Sequence, residues 1–257
     1  MGFALRPGVL MGRRSPPIGL VARFLPISNE ADSVYPDTNI HLNARIDAGV
    51  NPWGNPDFGS SVFFDGLASA YLAADPVSGF DASVSSNSSD FCMEAWARLP
   101  ALPSQAVTGL FGKRYVASQA HTWVGVDYEL ATGLIRGRFV RSAGLRTVSF
   151  SVPDPASFWN GLWHHIAIQR RAGMVEIFVD GVRGSVSHTA GTSTLNNGLS
   201  AFVQLNGQYV DSNFASIGNQ WSGHMDEFRI THGSARYPLE GFSPPTGPFP
   251  RGADDPL

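Results

Sequence analysis

Apolar and polar residues alternate in short runs from about residue 60 to residue 231, and no stretch sustains a 3.6-residue period beyond a turn or so. Val62, Phe63 and Phe64 lead into Asp65-Gly66, and Tyr71-Leu72 follow. Residues 91–98, FCMEAWAR, read as a strand with Phe91, Met93 and Ala95 on one face and Cys92, Glu94 and Trp96 on the other. Further strands are expected over residues 108–115, 123–129, 134–140 and 146–152. The clearest hairpins follow: residues 162–170, a turn at Ala172-Gly173, residues 175–179, and a turn at Asp180-Gly181. An Asp-Gly pair between apolar runs marks a tight hairpin because a type I′ turn needs positive φ at both central residues. Later strands are expected near 201–205, 214–218 and 223–231. Strands recurring every 10 to 15 residues between turn residues predict an all-β sandwich or barrel.

The first 58 residues do not share this pattern. Pro7, Pro16, Pro17, Pro26, Pro36, Pro52 and Pro56 interrupt them, and only residues 39–46 read as a short strand. So long an irregular stretch is improbable inside a compact domain. The division expected is an extended arm over 1–58, a β-sandwich over 59–250 and a short C-terminal tail over 251–257. Ordering about 50 residues costs on the order of 50 kcal/mol of backbone entropy. Offsetting that takes roughly 2,000 Å² of buried apolar surface. The arm is therefore expected to lie on another subunit.

Composition agrees with a turn-rich fold: 28 glycines and 18 prolines among 257 residues, 43% apolar and 15% charged. The net charge of −3 is unevenly spread, since Arg6, Arg13, Arg14 and Arg23 precede the first acid, Glu30. A basic arm on an acidic body implies contact with an acidic surface; a solvated tail is the plain alternative. The single cysteine, Cys92, allows no internal disulfide and reads as a small buried apolar group. Arg and Pro interrupt the N-terminus every few residues, so no membrane segment is expected. One lysine stands against 17 arginines with no basic aromatic patch on the sandwich, which argues against direct nucleic-acid recognition.

Several segments together resemble the laminin-G-like, concanavalin-A-like jelly roll. They are FGSSVFFDG at 58–66 with Tyr71-Leu72, DFCMEAWAR at 90–98, LWHHIAIQR at 162–170 with VEIFVDGV at 175–182, and IGNQWSGHMDEFRIT at 217–231. The resemblance implies a two-sheet antiparallel jelly-roll sandwich. The closing stretch HGSARYPLEGFSPPTGPFP, residues 232–250, resembles the ending of such domains in tailed-bacteriophage structural proteins. That implies a virion protein assembled in the host cytoplasm, with major capsid or tail proteins as partners. A homo-oligomer is expected as well, because an arm embracing a neighbour generates symmetric contacts. The basic arm, through Arg6, Arg13, Arg14 and Arg23, is the expected anchor. A carbohydrate-binding module for host or mucus attachment is the alternative, and a glycoside hydrolase ranks last.

Candidate chemistry is sparse. His164 and His165 are adjacent in a strand and point to opposite faces, so they cannot share a metal ion. Glu176 and Asp180 share a face, but laminarinase-like relatives carry an E-x-D-x-x-E run that is absent here. Asp180 is also the turn residue. No catalytic residue is assigned and no enzyme is expected. Relatives bind calcium near the chain ends, which makes Asp65 and Asp226 candidate ligands; acceptance of turn or backbone hydrogen bonds is the plain alternative. Trp53, Trp123, Trp159, Trp221 and Tyr209 are the candidates for stacking on glycans, against a role in the core or an interface.

Overall fold

The computed structural model describes residues 21–23, 38–40, 44–55, 58–67, 72–74, 90–112, 124–141, 144–189, 203–209 and 217–249. The strands in chain order are β1 (Val21–Arg23), β2 (Thr38–Ile40), β3 (Ala44–Ala48), β4 (Ser60–Asp65), β5 (Leu72–Ala74), β6 (Phe91–Arg98), β7 (Val107–Gly112), β8 (Val124–Glu129), β9 (Leu134–Arg141) and β10 (Gly144–Ser151). After a one-turn helix α1 (Pro155–Phe158) come β11 (Trp163–Arg171), β12 (Met174–Val179), β13 (Val182–Arg183), β14 (His188–Thr189), β15 (Val203–Leu205), β16 (Gln208–Tyr209), β17 (Ile217–Gly218) and β18 (Ser222–His232).

Two large antiparallel sheets result, with β16 and β17 paired as a separate two-stranded ribbon. A nine-stranded sheet has the order β13-β12-β11-β6-β18-β4-β3, with β1 beside β18 and β14 beside β12. A seven-stranded sheet has the order β10-β9-β8-β7-β15-β5-β2. The all-β jelly-roll expectation holds, and β6 spans the residues read from its alternation. Both hairpin turns adopt left-handed backbone, with φ of 47° and 82° at Ala172-Gly173 and 49° and 77° at Asp180-Gly181. This is the geometry that the I′ turn demands.

The expected boundary at residue 58 moves. β3 runs alongside β4 with Ala44 opposite Phe64 and Ala48 opposite Ser60. β1 pairs with β18, and β2 pairs with β5. Stretches of the expected arm are therefore sheet edges. Its prolines hid this, because Pro removes a ladder donor and the strands between the prolines are only three to five residues long.

The core lies between the sheets. Phe91, Met93, Ala95 and Ala97 of β6, with Ile166 and Ile168 of β11, face Val124, Val126, Tyr128, Ile135 and Phe139 of β8 and β9. Gly137 lets the sheets meet, since a Cβ there would overlap the Ile168 side chain. The opposite face of β6 is buried as well. Residues 233–249 cross it as a strap, and Tyr237 and Phe242 pack on a second small core of Cys92, Ala167 and Phe178.

Candidate functional site

Beneath the strap lies a buried charged network on the outer face of the nine-stranded sheet. Antiparallel register sets Glu94 opposite both Ala167 and Arg229. A β-bulge between Asp226 and Arg229, with Glu227 at φ 49°, turns Arg229 onto the same face as Glu94. Arg229 Nε and Nη2 lie 2.9 and 2.8 Å from Glu94 Oε1. His165 Nε2 lies 3.0 Å from Oε2, and the Tyr237 hydroxyl donates to the same oxygen. Burial alone would push the Glu94 carboxyl up; Arg229, His165 and Tyr237 outweigh it and hold the carboxyl at about 2. Burial and the neighbouring Glu94 carboxylate push the Tyr237 phenol far up, so it remains a donor.

The strap is tied to the sheet by directed bonds. Gln169 donates to the Tyr237 carbonyl at 2.7 Å and accepts from its amide at 3.0 Å. Arg171 donates to the same carbonyl at 2.6 Å. The Phe242 amide donates to the Gly181 carbonyl at 3.0 Å, and the Phe249 amide to Glu227 at 2.7 Å. Phe249 lies under the Arg229 guanidinium at 3.5 Å.

The seven-stranded sheet carries a second network on its own outer face. Register places Asp127 opposite Arg136, and both are buried. Arg136 Nε approaches Asp127 Oδ1 at 2.6 Å, and Arg138 Nε approaches Oδ2 at 3.0 Å. Arg136 also pairs with Glu129.

The structure scatters the sequence candidates. Asp65 is exposed and caps its own turn, accepting from the Leu67 amide at 2.9 Å. Asp226 is fully buried, four residues further along the ladder from Ser222, the partner of Asp65, or about 13 Å at strand rise. The two cannot ligate one calcium ion. Among the described residues no group of three His, Cys, Asp or Glu converges as a metal site. Trp159 and Trp221 are 1% and 4% exposed within the core, and the Trp221 indole donates to the Gly109 carbonyl at 3.0 Å. Neither offers a face to a sugar, which corrects that expectation. Trp53 is half-buried, donates to the Pro245 carbonyl at 2.9 Å and packs edge-on against Trp96. Trp123, Arg6, Arg13 and Arg14 lie outside the described residues, as do the side chains of Arg23 and Tyr209.

Glu176 and Asp180 are both engaged elsewhere. Glu176 is buried and paired with Arg183, and burial raises its carboxyl. Asp180 accepts from the His165 amide at 2.8 Å and lies 2.6 Å from His164 Nδ1. As expected, the two histidines part: His164 stacks on Phe158 at 3.6 Å, and His165 enters the network beneath the strap.

Sequence reasoning missed a lateral row on the outer face of the nine-stranded sheet. Trp163, Arg98, His224, Phe63 and Arg45 stand opposite one another on β11, β6, β18, β4 and β3. The His224 ring is 6.1 Å from Trp163 and 5.0 Å from Phe63, and the Arg45 guanidinium lies 4.3 Å above Phe63. Five residues from five distant segments meet here, so only the strand register reveals them.

A sandwich of two large antiparallel sheets is the architecture of a jelly roll. The chain belongs to the concanavalin A-like lectin/glucanases superfamily, whose family model matches residues 71–236. No curated protein matches it. Among solved structures it is similar to the binding domain of Paraclostridial Mosquitocidal Protein 1, with TM-score 0.54, 14% identity, and coverage of 77% of this chain and 44% of that one. It is similar to the same degree to the botulinum neurotoxin serotype G binding domain, at TM-score 0.54 and 13% identity, with the same coverage. The chain thus spans less than half the length of either structure, and the likeness is one of fold.

Proposed function

We propose that this chain is a non-enzymatic structural protein of a tailed-bacteriophage particle. In this reading it decorates capsid or tail, is anchored by its basic N-terminal segment and displays the sandwich outward. The observation that carries the non-enzymatic part is the engagement of the five carboxylates buried among the described residues. Glu94, Asp127 and Glu176 are each paired with arginine, Asp226 accepts from the Glu227 amide at 2.8 Å, and Glu227 accepts from the Phe249 amide at 2.7 Å. A retaining glycosidase needs a carboxylic acid beside a free carboxylate about 5 Å away, and these groups are tied into ion pairs or backbone hydrogen bonds instead. The virion part rests on the closing segment, whose resemblance to phage structural proteins falls on the strap. There the resembling residues Tyr237, Phe242 and Phe249 hold the fold together.

The test is mass spectrometry of particles purified from the source culture on a density gradient. Peptides of this chain in fixed proportion to the major coat protein are expected. Their confinement to the particle-free fractions would overturn the reading, and a signal on a glycan array in that case would move the assignment to saccharide attachment.

A further inference from the structure

We propose that the row Trp163–Arg98–His224–Phe63–Arg45 is a self-association surface whose occupant is a second copy of this chain. The inference is independent of the virion reading. The row spans five strands, about 19 Å at about 4.8 Å per strand. Its order is aromatic, cation, imidazole, aromatic, cation. Read backwards, that order is cation, aromatic, imidazole, cation, aromatic. A two-fold axis through His224 therefore sets Trp163 of one copy against Arg45 of the other, and Arg98, whose Nε donates to the Gly161 carbonyl of its own chain at 2.7 Å, beside Phe63, twice each. An isologous interface requires this self-complementarity. Arg45 rests one guanidinium face on Phe63 in its own chain, and the other face is available to a second aromatic ring.

The surroundings fit a protein partner. The strap's cover stops one row short, where Trp53, tied to Pro245, lies over Trp96. Beyond it the rim carries apolar side chains. Of five exposed large hydrophobic residues among the described ones, Leu67, Leu162 and Leu102 border this end of the sheet at 60%, 60% and 38% exposure. The loops that carry them meet there: the Gly161 amide bonds the Leu99 carbonyl at 2.8 Å, and Gly66 abuts Ser222. Aromatic and arginine side chains have the composition of an interface centre. A saccharide would make little use of three leucines. Asp47 and Asp65 on the same face balance Arg45 and Arg98, so two copies can approach without net repulsion.

The experiment is light scattering on the full chain, eluted from size-exclusion columns over a concentration series. Wild type should show a dimer forming in the micromolar range. Arg45→Glu and Trp163→Arg should each weaken it by about tenfold or more, since every substitution enters the interface twice. Mixing the two variants should restore association, because the heterodimer pairs the new acid with the new cation at one contact and keeps the native Trp163–Arg45 pair at the other. Near-UV circular dichroism verifies that both variants are folded, and Leu162→Glu on the rim is a third variant outside the row. A wild type that stays monomeric, or variants that dimerise as wild type does, would overturn the proposal. So would a monomer whose glycan-array signal depends on Trp163, which would make the row a saccharide site.

Discussion

Gly181 and Phe242 touch through their backbones: the Phe242 amide donates to the Gly181 carbonyl at 3.0 Å, and a Cβ on Gly181 would overlap the Phe242 carbonyl oxygen. Gly181 also holds φ at 77°, as its hairpin turn requires. One glycine thus serves the turn and the docking of the strap at once. Gly181→Ala should cost about 2–4 kcal/mol, from left-handed strain plus the clash. Gly54→Ala is the control, because Gly54 has φ 64° but nothing within 4 Å, and it should cost only about 1 kcal/mol. Urea denaturation of the two variants measures the difference. A Gly181→Ala loss no larger than that of Gly54→Ala would show that the strap does not dock there.

Glu94→Gln should destabilise the fold by about 3–5 kcal/mol, as expected when a buried pair loses one partner. The substitution leaves Arg229, 4% exposed, without its carboxylate. Protease cleavage within residues 233–249 should accelerate in parallel, because Tyr237 loses its ionised acceptor. Unchanged stability would mean that the network is dispensable.

Acid should loosen the same region. The Glu94 carboxyl lies at about 2 in the fold against 4.5 when free, so unfolding at low pH takes up a proton. Its stabilisation is complete above about pH 4.5 and is lost as the pH falls towards 2. The contribution is on the order of 3 kcal/mol. Denaturant midpoints at pH 7, 4 and 3 should fall in that order for wild type, and the fall should be shallower for Glu94→Gln. Equal slopes would assign the acid sensitivity to other carboxylates.

Cys92 should be inert. Burial, then the neighbouring Glu94 charge, push its thiol well up, and the side chain is wholly covered. Ellman's reagent should find no thiol in the native protein and one after denaturation. Rapid labelling of the native chain would show that the strap opens readily.

Most of the fold was legible because its signals are local. The alternation of residues 91–98 separates Met93 from Glu94, and Asp180-Gly181 announces its own turn. The site was not legible, because its contacts are remote. Alternation placed Cys92, Glu94 and Trp96 together, but an outward face normally meets water. What buries Glu94 is Tyr237, 143 residues away. Trp159 and Trp221 illustrate the converse: flanked by loop residues, they read as surface aromatics, yet both close the core. Arg136 and Asp127 stand nine residues apart and meet only through the β8–β9 register.

β18 is the last strand among the described residues and lies near the middle of its sheet, flanked by β6 on one side and by β4 and β1 on the other. During synthesis at roughly 5–20 residues per second, β4 and β6 therefore wait roughly 7–30 s for their keystone. Until residue 232 emerges, β6 and β4 hold unpaired edges open to any passing strand. The nascent chain should thus depend on chaperones for its solubility, and a message cut short before codon 222 would yield two half-sheets with a gap between them rather than a trimmed sandwich.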